Sequence, residues 1–291
     1  MIALMQLLIK YALLEPFGVL TALDGFEILL LIIASVCIAA AGNIINDIYD
    51  VETDLVNKPK RVLITKSISE KLAYNIFITL NLIGVGIGFY LSHRVGRAPF
   101  FSLFVIISVL LYVYATYLKQ TLLIGNIVIS LIVALSIIIV GVFELIPVMT
   151  PLNQQTQTVF FKVILDYALF AFVINLIREI AKDIEDIDGD HKAGMNTLPI
   201  AIGRERAKFV LSILNFVPLI TIILYLVSNL YKQPIAVVYF LLFIIGPLIY
   251  TSIKTFSAST KKDMHHISSM YKLIMLFGML SLLLYKYVIL N

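Results

Sequence analysis

Two short stretches, NDIYDVETD at residues 46–54 and KDIEDIDGD at residues 182–190, carry the same acidic pattern. Each contains three aspartates spaced D-x-x-D-x-x-x-D, and each follows a long apolar segment. The two triplets are Asp47, Asp50 and Asp54, and Asp183, Asp186 and Asp190. Charged side chains are costly in or near a membrane, so a repeated acidic pattern in such an apolar chain indicates a functional site.

The composition is that of an integral membrane protein. Of the 291 residues, 60% are hydrophobic and 14% are charged, and the mean hydropathy is +1.00. A soluble domain carries about 25% charged residues. One soluble core could not bury this much apolar surface, so the surplus must face lipid. The single cysteine, Cys37, lies in an apolar run and cannot form an internal disulfide framework.

The length and number of the apolar segments predict the fold. A helix needs roughly 20 apolar residues to cross a bilayer core. Nine segments meet this need, at about 1–22, 27–46, 72–92, 99–118, 122–146, 159–181, 208–229, 234–253 and 269–289. The sequence therefore predicts an all-α integral membrane protein with nine transmembrane helices in a single domain, 1–291. The repeated motif also predicts two related halves, roughly 1–146 and 147–253, with the ninth helix outside them.

The basic residues predict the orientation. Apart from Lys10, most lysines and arginines lie at the ends of helices 2, 4, 6 and 8 or in the loops that follow, beside both triplets. Five lie toward the other side: Arg94, Arg97, Lys162, Lys232 and Lys286. By the positive-inside rule, both acidic motifs face the cytoplasm from the inner membrane. Met1 opens directly onto apolar residues, so we expect no cleaved signal peptide and a natural start slightly upstream.

The acidic triplets predict a divalent metal site. Positions i, i+3 and i+7 of a helix lie within roughly 60° of one another, so each triplet would share one helix face. Their mutual repulsion would be relieved by a cation. Neither motif contains His or Cys, and oxygen ligands alone favour Mg²⁺. Because Mg²⁺ usually completes its shell with water or substrate phosphates, two facing clusters would hold a diphosphate.

Basic residues beside the triplets fit a phosphate-bearing ligand. Such cations can neutralise the charge of a departing diphosphate. The four that lie beside the acids are Arg61, Lys119, Arg178 and Lys182. For Lys60 and Lys192, membrane topology explains the charge equally well.

Together these motifs resemble the UbiA superfamily of intramembrane prenyltransferases. The resemblance rests on NDIYDVETD followed by NKPKR, on YATYLK…GN, and on REIAKDIEDIDGD…NTLPIAIG. It implies a UbiA-type helical bundle around a central cavity and Mg²⁺ as cofactor. It also implies transfer of a polyprenyl group from an isoprenyl diphosphate to a lipophilic acceptor in the bilayer, with release of diphosphate. An allylic carbocation formed in this reaction would need a dry cavity.

The resemblance also implies roles for individual residues. Metal contacts fall on Asn46, Asp50, Asp54, Asp183, Asp186 and Asp190, with Asp47 as a further member of the first acidic run. The five aspartates other than Asp47 are the implied catalytic residues. Diphosphate contacts fall on Arg61, Tyr114, Lys119, Arg178 and Lys182.

The acceptor is less strongly indicated. The form REIAKDIEDIDGD resembles the branch that makes digeranylgeranylglyceryl phosphate, which favours geranylgeranylglyceryl phosphate or a similar glycerol-phosphate lipid as acceptor. An aromatic acceptor of quinone or haem biosynthesis, such as naphthoate, homogentisate or 4-hydroxybenzoate, stays open. A transporter is the alternative from another class, but its ionisable residues would lie near the membrane midplane. We expect no nucleic-acid partner.

Two carboxylates and one basic stretch lie outside these motifs. Glu15 and Glu144 lie deep in apolar runs and are functional candidates for that reason. The stretch KKDMHHISS, residues 261–269, is predicted to be a flexible loop that covers the site from the cytoplasm.

Overall fold

The computed structural model describes residues 1–60 and 62–286, and their secondary structure is helical. The α-helices are α1 (Ile2–Leu8), α2 (Gly25–Tyr49), α3 (Val51–Asn57), α4 (Glu70–Arg94), α5 (Phe101–Thr116), α6 (Ile124–Glu144), α7 (Gln154–Lys192), α8 (Leu198–Ile202), α9 (Arg204–Leu214), α10 (Phe216–Tyr225), α11 (Pro234–Phe240), α12 (Gly246–Ser257) and α13 (Lys261–Leu280). The β-pairing in the same residues is an isolated bridge between Ile64 and Ile68. The all-α prediction is confirmed.

Within the described ranges, eight helices are long and apolar enough to cross a membrane. Their bounds are Gly25–Tyr49, Glu70–Arg94, Ala98–Thr116, Ile124–Glu144, Gln154–Lys192, Arg204–Leu230, Pro234–Ser257 and Lys261–Leu284. They correspond in order to the second through ninth predicted segments. The first predicted segment forms a shorter helix, in which α1 continues as a π-helix and then a 3₁₀ turn that ends at Phe17.

A buried ion pair attaches this N-terminal helix to the rest of the bundle. The Nζ atom of Lys10 lies 3.1 Å from Oε1 of Glu144, at the end of α6, and both side chains are buried. Lys10 also donates hydrogen bonds to the hydroxyl of Thr21 (2.8 Å) and the carbonyl of Leu23 (2.7 Å). A charge buried among apolar helices is tolerated when it is paired in this way. Glu144, a functional candidate from the sequence, therefore forms an ion pair that joins two helices.

The long helix α7 connects two hydrophobic clusters. It contains 39 residues, which corresponds to a length of about 58 Å. Its first part belongs to one cluster with residues of α1, α2 and α4–α6, and its second part belongs to another cluster with residues of α8–α13. The helix extends well beyond the predicted 159–181 and carries the whole second acidic triplet. The proposed repeat of two halves within one domain stays a prediction.

The first acidic triplet lies across a helix break. Helix α2 ends at Tyr49, Asp50 has non-helical backbone angles (φ −93°, ψ 2°), and α3 begins at Val51. The break turns α3 toward α7, against which it packs. The expectation that both triplets share one face of a continuous helix is therefore right for the second triplet and wrong for the first.

The stretch at residues 261–269 is the start of α13. Thr260 and Asp263 form a capping box there: Asp263 N donates to Thr260 Oγ1 (3.2 Å), and Thr260 N donates to Asp263 Oδ2 (3.1 Å). This arrangement satisfies backbone groups that the first helical turn leaves unpaired. The prediction of a flexible loop was wrong, because Thr260 and Asp263 cap a helix that begins at Lys261. Residues 287–289 of the predicted ninth helix lie outside the described residues.

Candidate active site

Both acidic triplets line one open cleft. The first triplet reaches it from α2 and α3, and the second from α7. Ten of its lining residues were predicted as site residues: Asn46, Asp47, Asp50, Asp54, Tyr114, Lys119, Lys182, Asp183, Asp186 and Asp190. Folding thus brings the two motifs to the same place.

The carboxylate of Asp50 is neutralised by a lysine from another part of the chain. The Nζ atom of Lys119 lies 2.5 Å from Oδ1 of Asp50, and the amide of Asn46 donates to the other oxygen. Lys119 lies in the turn between α5 and α6, and this turn packs directly on Gly125. A Cβ at Gly125 would lie 2.6 Å from the carbonyl oxygen of Leu118. Glycine at this position therefore permits the approach that places Lys119 over Asp50.

Asp54 lies in a negative part of the cleft. Burial raises the pKa of its carboxyl, and the nearby charges of Asp50 and Asp186 raise it further. Lys58 and Lys119 oppose this rise in the pKa. The direction of the shift means that added positive charge, from a proton or a metal ion, would be favourable at this position.

The second triplet is also engaged by neighbouring helices. Asp183 accepts a hydrogen bond from Asn126 Nδ2 on α6 (2.7 Å). Oδ2 of Asp186 lies 2.6 Å from Nζ of Lys58. Oδ1 of Asp186 is buried and accepts no hydrogen bond, although Lys261 Nζ lies 3.4 Å away. Asp190 is buried as well.

Asn57 attaches α3 to the second motif. Its side-chain amide donates to the carbonyl of Asp186 (2.9 Å), and its Oδ1 accepts from the backbone N–H of Gly189 (3.2 Å). Lys261 Nζ, from the start of α13, donates to the Asn57 carbonyl (3.1 Å). Three separate segments therefore meet at this asparagine, directly beside the acidic cleft.

Among the described residues, one predicted diphosphate contact, Arg178, does not line the cleft. Arg178 lines a neighbouring cavity, and its Nη1 lies 2.5 Å from Oε1 of Glu179. Glu179 itself lines the cleft, where its other oxygen lies 2.8 Å from Nζ of Lys182. Arg61 lies outside the described residues, so its role stays a prediction.

The cleft fits a magnesium ion that arrives with a phosphate ligand. Among residues 1–60 and 62–286, no three His, Cys, Asp or Glu side chains converge as the ligands of one ion. Mg²⁺ does not need such a cage, because it binds through one or two carboxylates plus substrate phosphates and water. Aspartate and asparagine side chains supply oxygen ligands along the cleft, and Oδ1 of Asp186 is a buried acceptor without a hydrogen bond. We conclude that the residues present suit Mg²⁺.

Some residues at the site were not predicted. Asn57 and Asn126 orient the second triplet, and Lys261 reaches it from α13. Asn126 had a signal, since it is an amide in an otherwise apolar helix and belongs to the GN of YATYLK…GN. Lys261 was predicted only as the start of a loop, residues 261–269, that covers the site, and not as a contact of the acidic motifs.

Comparisons with known proteins agree with this geometry. Residues 12–286 match the UbiA prenyltransferase family. The digeranylgeranylglyceryl phosphate synthase of Methanosphaera stadtmanae is 32% identical to the chain, over 86% of each. The enzyme of the same name from Korarchaeum cryptofilum is 31% identical over 94% of this chain and 93% of that protein.

The solved structures show the same fold. A UbiA homologue from Archaeoglobus fulgidus, in a structure with DMAPP and Mg²⁺ bound, superposes with a TM-score of 0.57. It is 17% identical, and the match covers 97% of this chain and 96% of that one. The family match spans nearly the whole chain and includes every described residue of the acidic cleft. The chain therefore belongs to the UbiA prenyltransferase family and is a multi-pass membrane enzyme.

Proposed function

We propose that this enzyme transfers a geranylgeranyl group from its diphosphate to geranylgeranylglyceryl phosphate or a similar glycerol-phosphate lipid, with Mg²⁺ as cofactor. The observation that carries the proposal is the convergence of two aspartate triplets and several lysines on one cleft. Carboxylates can hold Mg²⁺, and lysines can contact the phosphate oxygens that the metal leaves free. The names of the two archaeal relatives support the glycerol-phosphate acceptor.

The chain's own residues would bind and activate the donor. Asp50 and Asp54 would face Asp183, Asp186 and Asp190 across the diphosphate. Bound Mg²⁺ would supply the positive charge that stabilises diphosphate as it leaves. Lys119 and Lys182, with Tyr114 and Arg61, would contact the phosphate oxygens. Asn46 and Asp47 would complete the oxygen ligands.

The chemical balance of the transfer is simple. The bond between C1 of the donor and the diphosphate oxygen breaks, and its electron pair stays with diphosphate. The hydroxyl oxygen of the acceptor forms a new ether bond to C1. The hydroxyl proton leaves with the released diphosphate. Apolar helices around the cleft would exclude the water that could otherwise quench the allylic cation.

We also propose that the protein lies in the inner membrane and that its cleft opens toward the cytoplasm. Four lysines lie at or beside the cleft: Lys58, Lys119, Lys182 and Lys261. Arg94, at the C-terminal end of α4, pairs instead with Glu27 near the start of α2, at the end of that helix away from the cleft. Cytoplasmic loops carry an excess of lysine and arginine. This distribution supports the orientation predicted from the sequence.

The function can be tested with purified protein in detergent, Mg²⁺ and radiolabelled geranylgeranyl diphosphate. Separate reactions contain geranylgeranylglyceryl phosphate, 1,4-dihydroxy-2-naphthoate or 4-hydroxybenzoate. We expect a labelled ether lipid only with the glycerol phosphate, and we expect EDTA to abolish it. Label in an aromatic product instead would refute the proposed acceptor while leaving prenyl transfer intact.

A further inference from the structure

A second cavity lies next to the acidic cleft and has a different chemistry. It is similar in size to the cleft, is bordered by α1, α6, α7 and α13, and is partly open to the outside. Its walls are mainly apolar, with Met5, Ile137, Phe170 and Met279 among them. It could therefore accommodate a hydrocarbon chain in a way that the acidic cleft could not.

Both cavities lie along the same helix. Residues of α7 from Tyr167 to Arg178 line the second cavity, and residues from Glu179 to Asp190 line the cleft. The stretch of α7 along the second cavity is about 16 Å long at the rise of an α-helix. Ligands in the two cavities would thus have their head groups near the boundary between Arg178 and Glu179.

The end of the second cavity nearest the cleft is cationic. Arg178 lies there with Nη1 2.5 Å from Glu179 Oε1, while its Nε is buried and has no hydrogen-bond partner. Glu179 also neutralises Lys182, so it does not fully compensate both cations. Lys272 of α13 lines the same cavity. A buried guanidinium N–H without an acceptor is unfavourable, and a phosphate oxygen would satisfy it.

The absence of acids separates this site from the donor site. None of the lining residues that the structure describes in the second cavity is Asp or Glu. A diphosphate with Mg²⁺ needs the aspartates of the cleft, whereas a single phosphate on a lipid needs a cation and no metal. Charge complementarity therefore favours a monophosphate lipid here.

We propose that the second cavity is the acceptor site, in which Arg178 binds the phosphate of a glycerol-phosphate lipid and the apolar walls bind its isoprenoid chain. This inference rests on the proposed function, and it moves Arg178 from the predicted diphosphate contacts to the acceptor. A donor in the cleft and an acceptor in the cavity would meet where α7 passes from one to the other. Reacting atoms held about 3–3.5 Å apart in this way gain most of the advantage of proximity.

The kinetic test compares Arg178→Gln with Lys182→Gln, because both side chains pair with Glu179 but line different cavities. Loss of one hydrogen bond to a charged group corresponds to about a 10- to 100-fold weakening. We expect Arg178→Gln to raise the acceptor KM by this factor and to leave the donor KM within twofold. Lys182→Gln should do the reverse. Arg178→Lys, which keeps the charge, should recover part of the loss. A rise in the donor KM for Arg178→Gln would overturn the assignment.

A binding test does not depend on turnover. Radiolabelled geranylgeranylglyceryl phosphate and its phosphate-free analogue, geranylgeranylglycerol, are bound to the protein in EDTA. The phosphate should strengthen binding to the wild type, and this advantage should disappear in Arg178→Gln. The proposal would be contradicted if the wild type did not bind the acceptor in EDTA. It would also be contradicted if Arg178→Gln still bound the phosphate lipid more tightly than the phosphate-free analogue by the same factor as the wild type.

A third variant covers the case in which Arg178→Gln does not fold. Ala171→Phe would place a large ring in the wall of the second cavity, which Ala171 lines. We expect it to raise the acceptor KM while donor binding with Mg²⁺ stays normal. Weaker donor binding in this variant would assign the cavity to the donor chain. If the wild type does not use the glycerol-phosphate acceptor, the proposed function fails. If the wild type uses this acceptor but the variants do not change its KM, only the proposed acceptor site fails.

Discussion

The Nζ atom of Lys58 lies 2.6 Å from Oδ2 of Asp186, so the segment after the first acidic motif is ion-paired with the second motif. A similar pair joins Lys119 to Asp50 on the other side of the cleft. Each motif is therefore neutralised by a lysine from a different part of the chain. Lysines in these positions can move from the carboxylates to phosphate oxygens when diphosphate and Mg²⁺ bind, because both partners are anionic.

Replacing Lys58 tests this exchange. We expect Lys58→Met to lower kcat/KM for the donor by about 10- to 100-fold, the range expected when a hydrogen bond to a charged group is lost. Lys60→Met is the matched control, because Lys60 is exposed two residues away and is not among the cleft residues. Steady-state kinetics with varied donor would measure both. Equal losses in the two variants would mean that only the overall charge of the loop matters.

The aspartates of the second motif can be separated by their positions. Asp186 lines the cleft, whereas Asp188 is exposed and lies 3.5 Å from the surface residue Arg204. We expect Asp186→Asn to reduce kcat by about 100-fold or more, as for the removal of a group that stabilises a developing charge. Asp188→Asn should stay within about twofold, since exposed ion pairs contribute little. A large loss for Asp188→Asn would refute the assignment of the cleft.

Asp50 and Asp186 are expected to act as one unit. The double variant Asp50→Asn with Asp186→Asn should lose little more activity than either single variant, because groups that serve the same step are strongly non-additive. Single-turnover rates with saturating Mg²⁺ would show this. Fully multiplicative losses would indicate that the two motifs work in separate steps.

Lys261 provides a test of the contact from α13. Its Nζ donates to the carbonyl oxygen and to Oδ1 of Asn57 and lies 3.4 Å from Asp186 Oδ1. We expect Lys261→Ala to weaken donor binding by about tenfold, as for one lost charged hydrogen bond. Lys262→Ala, which removes the same charge one residue later, is the control. Donor binding unchanged in both variants would show that the contact has no part in binding.

Close packing of α3 on α7 makes Gly189 sensitive to substitution. A Cβ there would lie 2.3 Å from the side-chain nitrogen of Asn57, and something must shift. We expect Gly189→Ala to cost about 1–3 kcal/mol of stability, as for other overpacked sites, and to lower kcat/KM with it. Gly86→Ala is a control, because a Cβ at Gly86 meets nothing within 4 Å. Thermal unfolding in detergent would rank the two, and equal midpoints would refute the expected strain.

Much of the site could be predicted from the sequence because its chemistry is local. Asp50, Asp186 and Lys119 belong to short motifs whose residue types specify oxygen ligands and phosphate contacts, and all three line the cleft. Other residues had no local signal. Lys261 reaches the site only because α13 begins beside α3. Arg178 carries the same charge as Lys182 one turn away, yet it lines a different cavity.

The sequence alone determined the membrane-spanning class, the positions of most helices and the two acidic motifs. Apolar segment length and residue chemistry depend only on neighbours along the chain, and one sequence contains that information. The tertiary structure decided the break of the helix at Asp50, the extension of α7 through Asp190 and the separation of Arg178 from the cleft. These features depend on how distant helices pack against one another, because helix direction and the side of a helix that faces a cavity are set by contacts between segments far apart in sequence.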